Sequence, residues 1–150
     1  MDDTDRKLLL LVQRDSRLPN AQLAEQLNIS ASACWRRVKA LEEAGIITRY
    51  AAVVDPQAIG LGFEAIVHVH LTRHDTEALD RFIAAVRQRD EVMDVYATTG
   101  QADYHLRVLC RDIDSYNAFL EQFLFMQPVV NSAQTNVILR RIKTNAPVRA

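Results

Sequence analysis

The stretch LAEQLNISASACWRRVKALEEAG, residues 23–45, decides the fold of the first third of the chain. Leu23 and Leu27 are spaced one helical turn apart, which predicts a short amphipathic helix that ends at Leu27. Ser30 is a natural N-cap for a following helix, and Gly45 is suited to the position just beyond its end. Two short helices joined by about four residues are typical of a helix-turn-helix.

A further helix is predicted before this pair. Asp2 can cap it, and Asp5 stands where the acid of a capping box is expected. Leu8, Leu11 and Val12 then recur on one helical face. Residues 1–50 therefore predict a three-helix unit.

The third helix carries a local positive charge. Residues 30–41 contain three basic side chains and no acid. A helix fits the major groove, where its first turns reach base edges and flanking Arg or Lys side chains reach phosphates. We predict base-edge contacts by Ser32, Ala33 and Arg36 and phosphate contacts by Arg37 and Lys39, with Ser30 and Trp35 completing the DNA-binding candidates.

Other interpretations of the same residues stay open. The segment could be a small helical bundle with merely solvated charges, and Arg37 could form an ion pair with Glu42 or Glu43. Trp35 more often packs than stacks on bases, and Cys34 is more often a small core residue than a redox sensor.

The bulk composition neither supports nor excludes this assignment. The chain has 150 residues, 49% of them hydrophobic, and a formal net charge of -1. These values exclude a disordered or collagen-like chain, and no apolar run approaches a membrane span. The first residues lack the basic and apolar regions of a signal peptide, so we expect a cytoplasmic, nucleoid-associated protein with no membrane partner.

The second part of the chain predicts strands alternating with two helices. Alternating apolar residues predict a strand over Phe63–Leu71. Helices are predicted over residues 75–89 and 112–125, and further strands over residues 91–99, 102–109 and 129–141. The order βαββαβ is ferredoxin-like, so the fold class is α+β, with a helix-turn-helix at 1–50, a hinge strand or linker at 51–62 and a second domain at 63–143.

Such a sheet has helices on one face only, and the other face meets water or a partner. We expect Ile66, Val95, Ala97 and Val137 on that second face. A half-apolar open face suggests a dimer with packed sheets.

The motifs resemble those of the Lrp/AsnC (leucine-responsive/asparagine regulator, feast/famine) family along almost the whole chain. The recognition stretch Cys34-Trp35-Arg36-Arg37-Val38-Lys39 is similar to that family's, and residues 45–50 resemble its strand leading to the hinge. The stretch Thr98-Thr99-Gly100-Gln101-Ala102-Asp103-Tyr104 resembles the family's Thr-Gly-x-x-Asp-Tyr loop.

The resemblance implies a transcriptional regulator with a winged helix-turn-helix and an effector-binding, oligomerising (RAM) domain. It implies double-stranded DNA as a partner, a small amino acid as effector, no other cofactor, and dimers that form tetramers or octamers. Carried over by motif, the effector residues are Thr98, Gly100, Gln101, Ala102, Asp103, Tyr104 and Thr135.

Three alternatives follow from the same sequence. An enzyme is disfavoured because no HExxH, GxSxG, P-loop or paired-Cys motif occurs, and we predict no catalytic residues. His68 and His70 lie on one strand face, two residues apart, which is a spacing that metal ligands can have. The other two histidines are His74 and His105. We predict no metal. The third is a protein of the same fold with another mode of action. It is either a stand-alone effector sensor or scaffold that has lost DNA binding, which the intact basic face disfavours, or an effector-independent architectural DNA-binding regulator.

Overall fold

A computed structural model of the chain describes residues 1–72 and 76–149. The chain divides into two compact units. The DNA-binding candidates lie in the first unit, which comprises Met1–Val54 together with Ile142–Ala150. The second unit, Asp55–Arg141, contains the sheet.

The first unit is built on three helices, α1 (Asp3–Arg14), α2 (Asn20–Leu27) and α3 (Ala31–Glu43). The predicted capping box is confirmed, because the Asp5 N–H donates to the Asp2 carboxylate and the Asp2 N–H donates to the Asp5 carboxylate, each at 2.9 Å. The helices enclose a small apolar core whose buried members are Leu8, Val12, Leu23, Ala24, Cys34 and Leu41.

The expected strand at residues 45–50 is not formed. Residues 46–62, all of which the structure describes, contain no strand, and their only helical element is a 3-10 turn at Gln57–Ile59. A strand is stabilised by hydrogen bonds to a neighbouring strand. The four described strands pair only with one another, so none of them supplies ladder hydrogen bonds to this stretch.

The second unit confirms the ferredoxin-like prediction. It contains β1 (Phe63–Leu71), α4 (Thr76–Arg87), β2 (Val92–Ala97), β3 (Tyr104–Cys110), α5 (Ile113–Gln122) and β4 (Val130–Val137). The strand order is β2-β3-β1-β4, with every neighbouring pair antiparallel. The predicted first residue of α4, Asp75, lies outside the described residues.

The core of this unit lies on the helical side of the sheet. Ala65, Val67 and Val69 alternate along β1 and are fully buried. They pack with Phe82 of α4 and Phe119 of α5 in one cluster. Successive residues of β1 therefore alternate between the helical side and the open side of the sheet, as predicted.

The prediction of a half-apolar open face is wrong for three of its four residues. Val95 lies opposite Leu106, Ala97 opposite Tyr104, and Val137 opposite Ala65, so all three share the helical side with the core. A register shift between Val92 and Asp94 sets the β2 register and puts Asp94 and Tyr96 on the open side. Of the four predicted residues only Ile66 lies there, opposite Arg107 and Asn136.

Candidate DNA-binding and ligand-binding sites

One face of α3 is exposed along the length of the helix. Ser32, Trp35, Arg36 and Lys39 are all exposed, and their spacing of three, four and seven residues puts them on one side. The opposite side carries Cys34 and Leu41, which are buried in the core. Four of the predicted DNA-binding residues therefore share the exposed face.

Arg36 and Lys39 are the cations that this face offers to a partner. Neither forms an ion pair or a side-chain hydrogen bond with any residue in the described part of the chain. A guanidinium and an ammonium held on one helix face in water can each neutralise a phosphate.

Ser30 and Ala33 lie at the beginning of α3. The Ser30 hydroxyl accepts the Ala33 N–H at 3.2 Å and lies 3.2 Å from the Ser32 hydroxyl. Ser30 is thus the N-cap, and Ala33 is half-buried. The cap fixes where the helix begins and hence which side chains occupy its first turn.

Arg37 differs from its neighbours because its guanidinium is already paired. It donates to Asp2 at 2.8 Å and to Asp5 at 2.6 Å, the two acids of the α1 capping box. These hydrogen bonds raise the pKa of Arg37, and the pKa of Asp2 is lowered by the Asp5 N–H and by Arg37. An ion pair of Arg37 was predicted as an alternative, but its acids are not Glu42 or Glu43. Glu42 instead accepts the Tyr50 hydroxyl at 2.8 Å.

Trp35 forms part of a cavity beside this face. The cavity has a volume of about 260 Å³, and its wall includes Val12, Asp15, Lys39 and Tyr50. The indole is 54% exposed, so Trp35 is not a core residue. Cys34 is one, and burial raises the pKa of its thiol, which disfavours the reactive thiolate.

The candidate effector loop connects β2 to β3. The Thr98 N–H donates to the Asp103 carbonyl at 3.1 Å, and the Thr98 hydroxyl donates to the Ala102 carbonyl at 3.2 Å. Gly100 has a φ of +128°, which an L side chain rarely adopts, and it lies in open space. Gln101 is exposed, so the tip of the loop offers an amide side chain and unobstructed backbone.

Asp103 holds this loop against β1. Its carboxylate accepts the Leu71 N–H at 2.8 Å, while its own N–H donates to the Val69 carbonyl at 3.0 Å. Tyr104 follows as the first residue of β3 and packs edge-on to Phe82, with ring centroids 6.0 Å apart. The loop thus has a structural basis that is independent of any ligand.

Thr135 lies apart from the loop. It is in β4 opposite Val67, and its hydroxyl is 2.5 Å from the hydroxyl of Tyr116. Since β1 separates β4 from β3, the structure brings Thr98, Gly100, Gln101, Ala102, Asp103 and Tyr104 together and leaves Thr135 on the other side of that strand. Burial raises the pKa of Tyr116, so its hydroxyl stays protonated.

Three histidines lie on the open side of the sheet. The His68 and His105 rings meet edge-on with centroids 4.6 Å apart, and Asn136 lies 3.1 Å from His68. Burial, helped by His105 and His70, lowers the pKa of His68. Within the described residues no group of three or more His, Cys, Asp or Glu side chains is arranged to hold a metal ion, and His74 lies outside them.

Sequence reasoning missed an ionic cluster beside these histidines. Glu64, only 7% exposed, accepts from Arg107 at 2.8 Å and from Arg141 at 2.6 Å, and Arg107 also donates to Asp94 at 2.5 Å. Although burial raises it, these two arginines hold the pKa of Glu64 below its usual value. The signal available in the sequence was a single Glu among the apolar residues at the beginning of β1, residues 63–67.

Comparison with known proteins supports both halves of this description. Residues 1–48 match a family profile described as winged helix-turn-helix DNA-binding, and residues 64–148 match the Lrp/AsnC ligand binding domain. No helix in the described part of the chain is long and apolar enough to cross a membrane.

Individual proteins are similar to this chain over almost its whole length. The chain is 36% identical to the HTH-type transcriptional regulator AldR of Mycolicibacterium smegmatis, over 99% of this chain and 86% of that protein. It is 34% identical to the transcriptional activator DecR of Escherichia coli, over 99% of each. A transcriptional regulator from Neisseria meningitidis, solved as an L-Met complex, superimposes with a TM-score of 0.95 at 35% identity, covering 99% of this chain and 96% of that one.

These features define the protein as a transcriptional regulator with a DNA-binding helix-turn-helix and a ligand-binding domain. The Lrp/AsnC profile covers more than half of the chain, residues 64–148. The chain belongs to the Lrp/AsnC family, whose members are regulators and not enzymes.

Proposed function

We propose that the protein binds specific DNA sequences through α3 and that a small amino acid changes its DNA affinity or oligomeric state. The observation that carries the proposal is the exposed face of α3, on which Arg36 and Lys39 have no partner among the described residues. Ser32 and Arg36, near the beginning of the helix, are assigned to base edges, and Lys39 to phosphate. Such a regulator works in the cytoplasm, on the nucleoid.

Arg37 has a different role in this proposal. Because Asp2 and Asp5 already neutralise it, we assign it to holding α3 against the capped end of α1. This revises the phosphate contact predicted for Arg37. Trp35 and Lys39 both border the small cavity beside α3, so the face includes an aromatic surface as well as cations.

The DNA-binding assignment is tested by the salt dependence of duplex binding. Removing one phosphate-binding cation should reduce the slope of log affinity against log salt by about 0.9. We expect this reduction for Lys39→Ala and weaker binding for Arg36→Ala, measured by fluorescence anisotropy. Arg87→Ala, an exposed cation on α4 with no ion pair among the described residues, is the matched control. Unchanged affinity and slope in both α3 variants would contradict the assignment.

The effector assignment rests on the loop between β2 and β3. Gly100 leaves the backbone open to a ligand carboxylate, and exposed Gln101 can donate or accept. Ala102, Asp103 and Tyr104 shape the loop, while Thr98 and Thr135 supply hydroxyls that a ligand would have to share with Ala102 and Tyr116.

A thermal-shift series with the twenty amino acids tests this part. L-Met is included because a related regulator was solved with it. A ligand at 100 times its Kd adds about 2.7 kcal/mol of stability. Gln101→Ala should weaken the response, whereas Gln88→Ala, an exposed amide outside the loop, should preserve it.

An effector-independent architectural regulator is the second candidate. It is favoured by the fact that the Thr98 and Thr135 hydroxyls and the Asp103 carboxylate all make contacts within the chain. A flat response to every amino acid, with DNA binding intact, would select this candidate.

Self-association is the remaining part of the proposal. We expect at least a dimer, with tetramers or octamers as the larger forms. We assign the contact between copies to the open face of the sheet. His68, His105 and Tyr96 lie there in one row across the strands, so the contact would be largely polar. Light scattering coupled to size-exclusion chromatography measures the mass, and a monomer at all concentrations would refute this part.

A further inference from the structure

The segment after β4 belongs to the DNA-binding unit. The chain leaves the second unit after Arg141, and residues 142–149, here named the return segment, form part of the first unit with Met1–Val54. Its docking point is Gln13 of α1, which accepts the Val148 N–H at 2.7 Å and donates to the Val148 carbonyl at 3.0 Å. Gln13 thus pairs with the Val148 backbone as a neighbouring strand would.

The return segment changes the charge of the unit that it joins. It contains Lys143 and Arg149 and no acid. With them the first unit holds 10 basic and 7 acidic residues, a net charge of +3, whereas Asp55–Arg141 holds 8 basic and 12 acidic residues, a net charge of -4. Without the return segment, Met1–Val54 has a net charge of only +1.

Further cations lie beside the docked segment. A cavity of about 1240 Å³ has Val148, Arg14 and Arg49 in its wall. Neither arginine forms an ion pair with a residue that the structure describes. Lys143 and Arg149 are likewise exposed and unpaired within the described ranges.

This basic surface is continuous with the surroundings of α3. The cavity beside Val148 and the smaller one beside Trp35 share Val12, Asp15, Ser16 and Tyr50 in their walls. A partner lying along α3 can therefore extend past these shared residues to Arg49 and the return segment. The polymer whose charge repeats along such a path is the phosphate backbone of DNA.

We propose that the return segment is a second DNA-binding element, in which Lys143 and Arg149, together with Arg14 and Arg49 in the cavity wall that includes Val148, contact phosphates flanking the site contacted by α3. Gln13 is a positioning residue that keeps the segment on α1. The proposal rests on the proposed DNA binding and extends it beyond the helix-turn-helix.

The test is the salt dependence of binding to a labelled 40-bp duplex of mixed sequence, because phosphate contacts need no particular operator. The variant Lys143→Gln/Arg149→Gln should reduce the slope by up to about 1.8. Over a fourfold rise in salt, the wild-type affinity should then fall about 12-fold more than that of the variant. Gln13→Ala keeps every charge but releases the segment, so its slope should move in the same direction.

The matched control is Arg87→Gln/Arg111→Gln, which removes two exposed cations from the second unit. It changes the net charge equally and should leave the slope at the wild-type value. A slope that is the same for the wild type, the control and the Lys143→Gln/Arg149→Gln variant would overturn the proposal.

The failure of this proposal and that of the proposed function are distinguishable. If Lys39→Ala lowers the slope and Lys143→Gln/Arg149→Gln does not, α3 binds DNA and the return segment does not. If the wild type shows no salt-dependent duplex binding, both are refuted. Circular dichroism of Gln13→Ala establishes that its helices are retained.

Discussion

Glu64→Gln should destabilise the second unit substantially, because Glu64 is the buried centre of an ionic cluster. The substitution keeps the size of the side chain and removes its charge. Arg141 then has no carboxylate partner among the described residues, while Arg107 keeps Asp94. Removing one partner of a fully buried ion pair costs about 3–5 kcal/mol.

The expected magnitude is smaller than this upper range. The side chains of Arg107 and Arg141 are 35% and 33% exposed, so water rehydrates them once Glu64 is neutral. We therefore expect a loss of about 2 kcal/mol. For a unit of this length such a loss lowers the midpoint of thermal unfolding by about 10 °C.

The assay is thermal unfolding followed by circular dichroism at several pH values. The folded state lowers the pKa of Glu64, so its contribution is present above the ordinary value of 4.5 and is lost as the pH falls through the folded pKa. The wild type and Glu64→Gln should therefore differ most at neutral pH and converge in acid.

A matched control separates burial from mere loss of charge. Glu77 pairs with Arg81 on the surface of α4, at 3.0 Å, with side chains 85% and 63% exposed. Glu77→Gln should therefore cost about 0.5 kcal/mol or less. If Glu64→Gln were no more destabilising than Glu77→Gln, or equally destabilising at pH 3 and pH 7, the reasoning would be refuted.

Three further predictions concern the two units separately. Arg37→Ala should weaken duplex binding in anisotropy titrations but should not lower the salt slope by the value of about 0.9 that the loss of a phosphate contact gives. A full drop of that size would show that Arg37 contacts a phosphate. Leu8→Ala should cost the first unit about 3 kcal/mol, because Leu8 is fully buried in a small core; calorimetry should show this as a lower transition for that unit, and an unchanged scan would contradict it. The lowered pKa of His68 means that folding favours the neutral imidazole, so the stability of the second unit should decline as the pH falls below 6.5. Unfolding measured at several pH values should show a flatter decline for His68→Gln.

The elements with a clear period were predictable from sequence. The strict alternation of Phe63–Leu71 identified β1 at its observed bounds, and Asp2 with Asp5 marked the beginning of α1. In both cases the determining interactions are local, either between alternate residues of one strand or within the first turn of one helix.

The side of the sheet on which β2 residues lie was not predictable. In the sequence Val92-Met93-Asp94-Val95-Tyr96-Ala97, the apolar positions fit either face. The register shift between Val92 and Asp94 decides between them, and it depends on the pairing with Val108 and Arg107 of β3. Pairing with a distant strand leaves no signal in the period of β2 itself.

The docking of the return segment on α1 was not predictable for a related reason. The final strand was predicted to run to residue 141, but β4 ends at Val137. The Ile138 N–H still donates to the Glu64 carbonyl at 2.8 Å, after which the strand pairing stops. Docking through the backbone of Val148 requires no particular side chain, so residues 142–149 show no pattern that indicates where they bind.

The partners of Arg37 show how such distant contacts change a functional interpretation. The sequence by itself suggests only acids that are near in the chain, and Glu42 and Glu43 are five and six residues from Arg37. The actual partners are Asp2 and Asp5, 35 and 32 residues distant. In the proposed DNA binding we therefore expect Arg37 to act by holding α3 against α1 and not by contacting a phosphate. The cations left on α3 for the proposed DNA binding are then Arg36 and Lys39, so in this proposal Lys143 and Arg149 supply a larger share of the phosphate contacts.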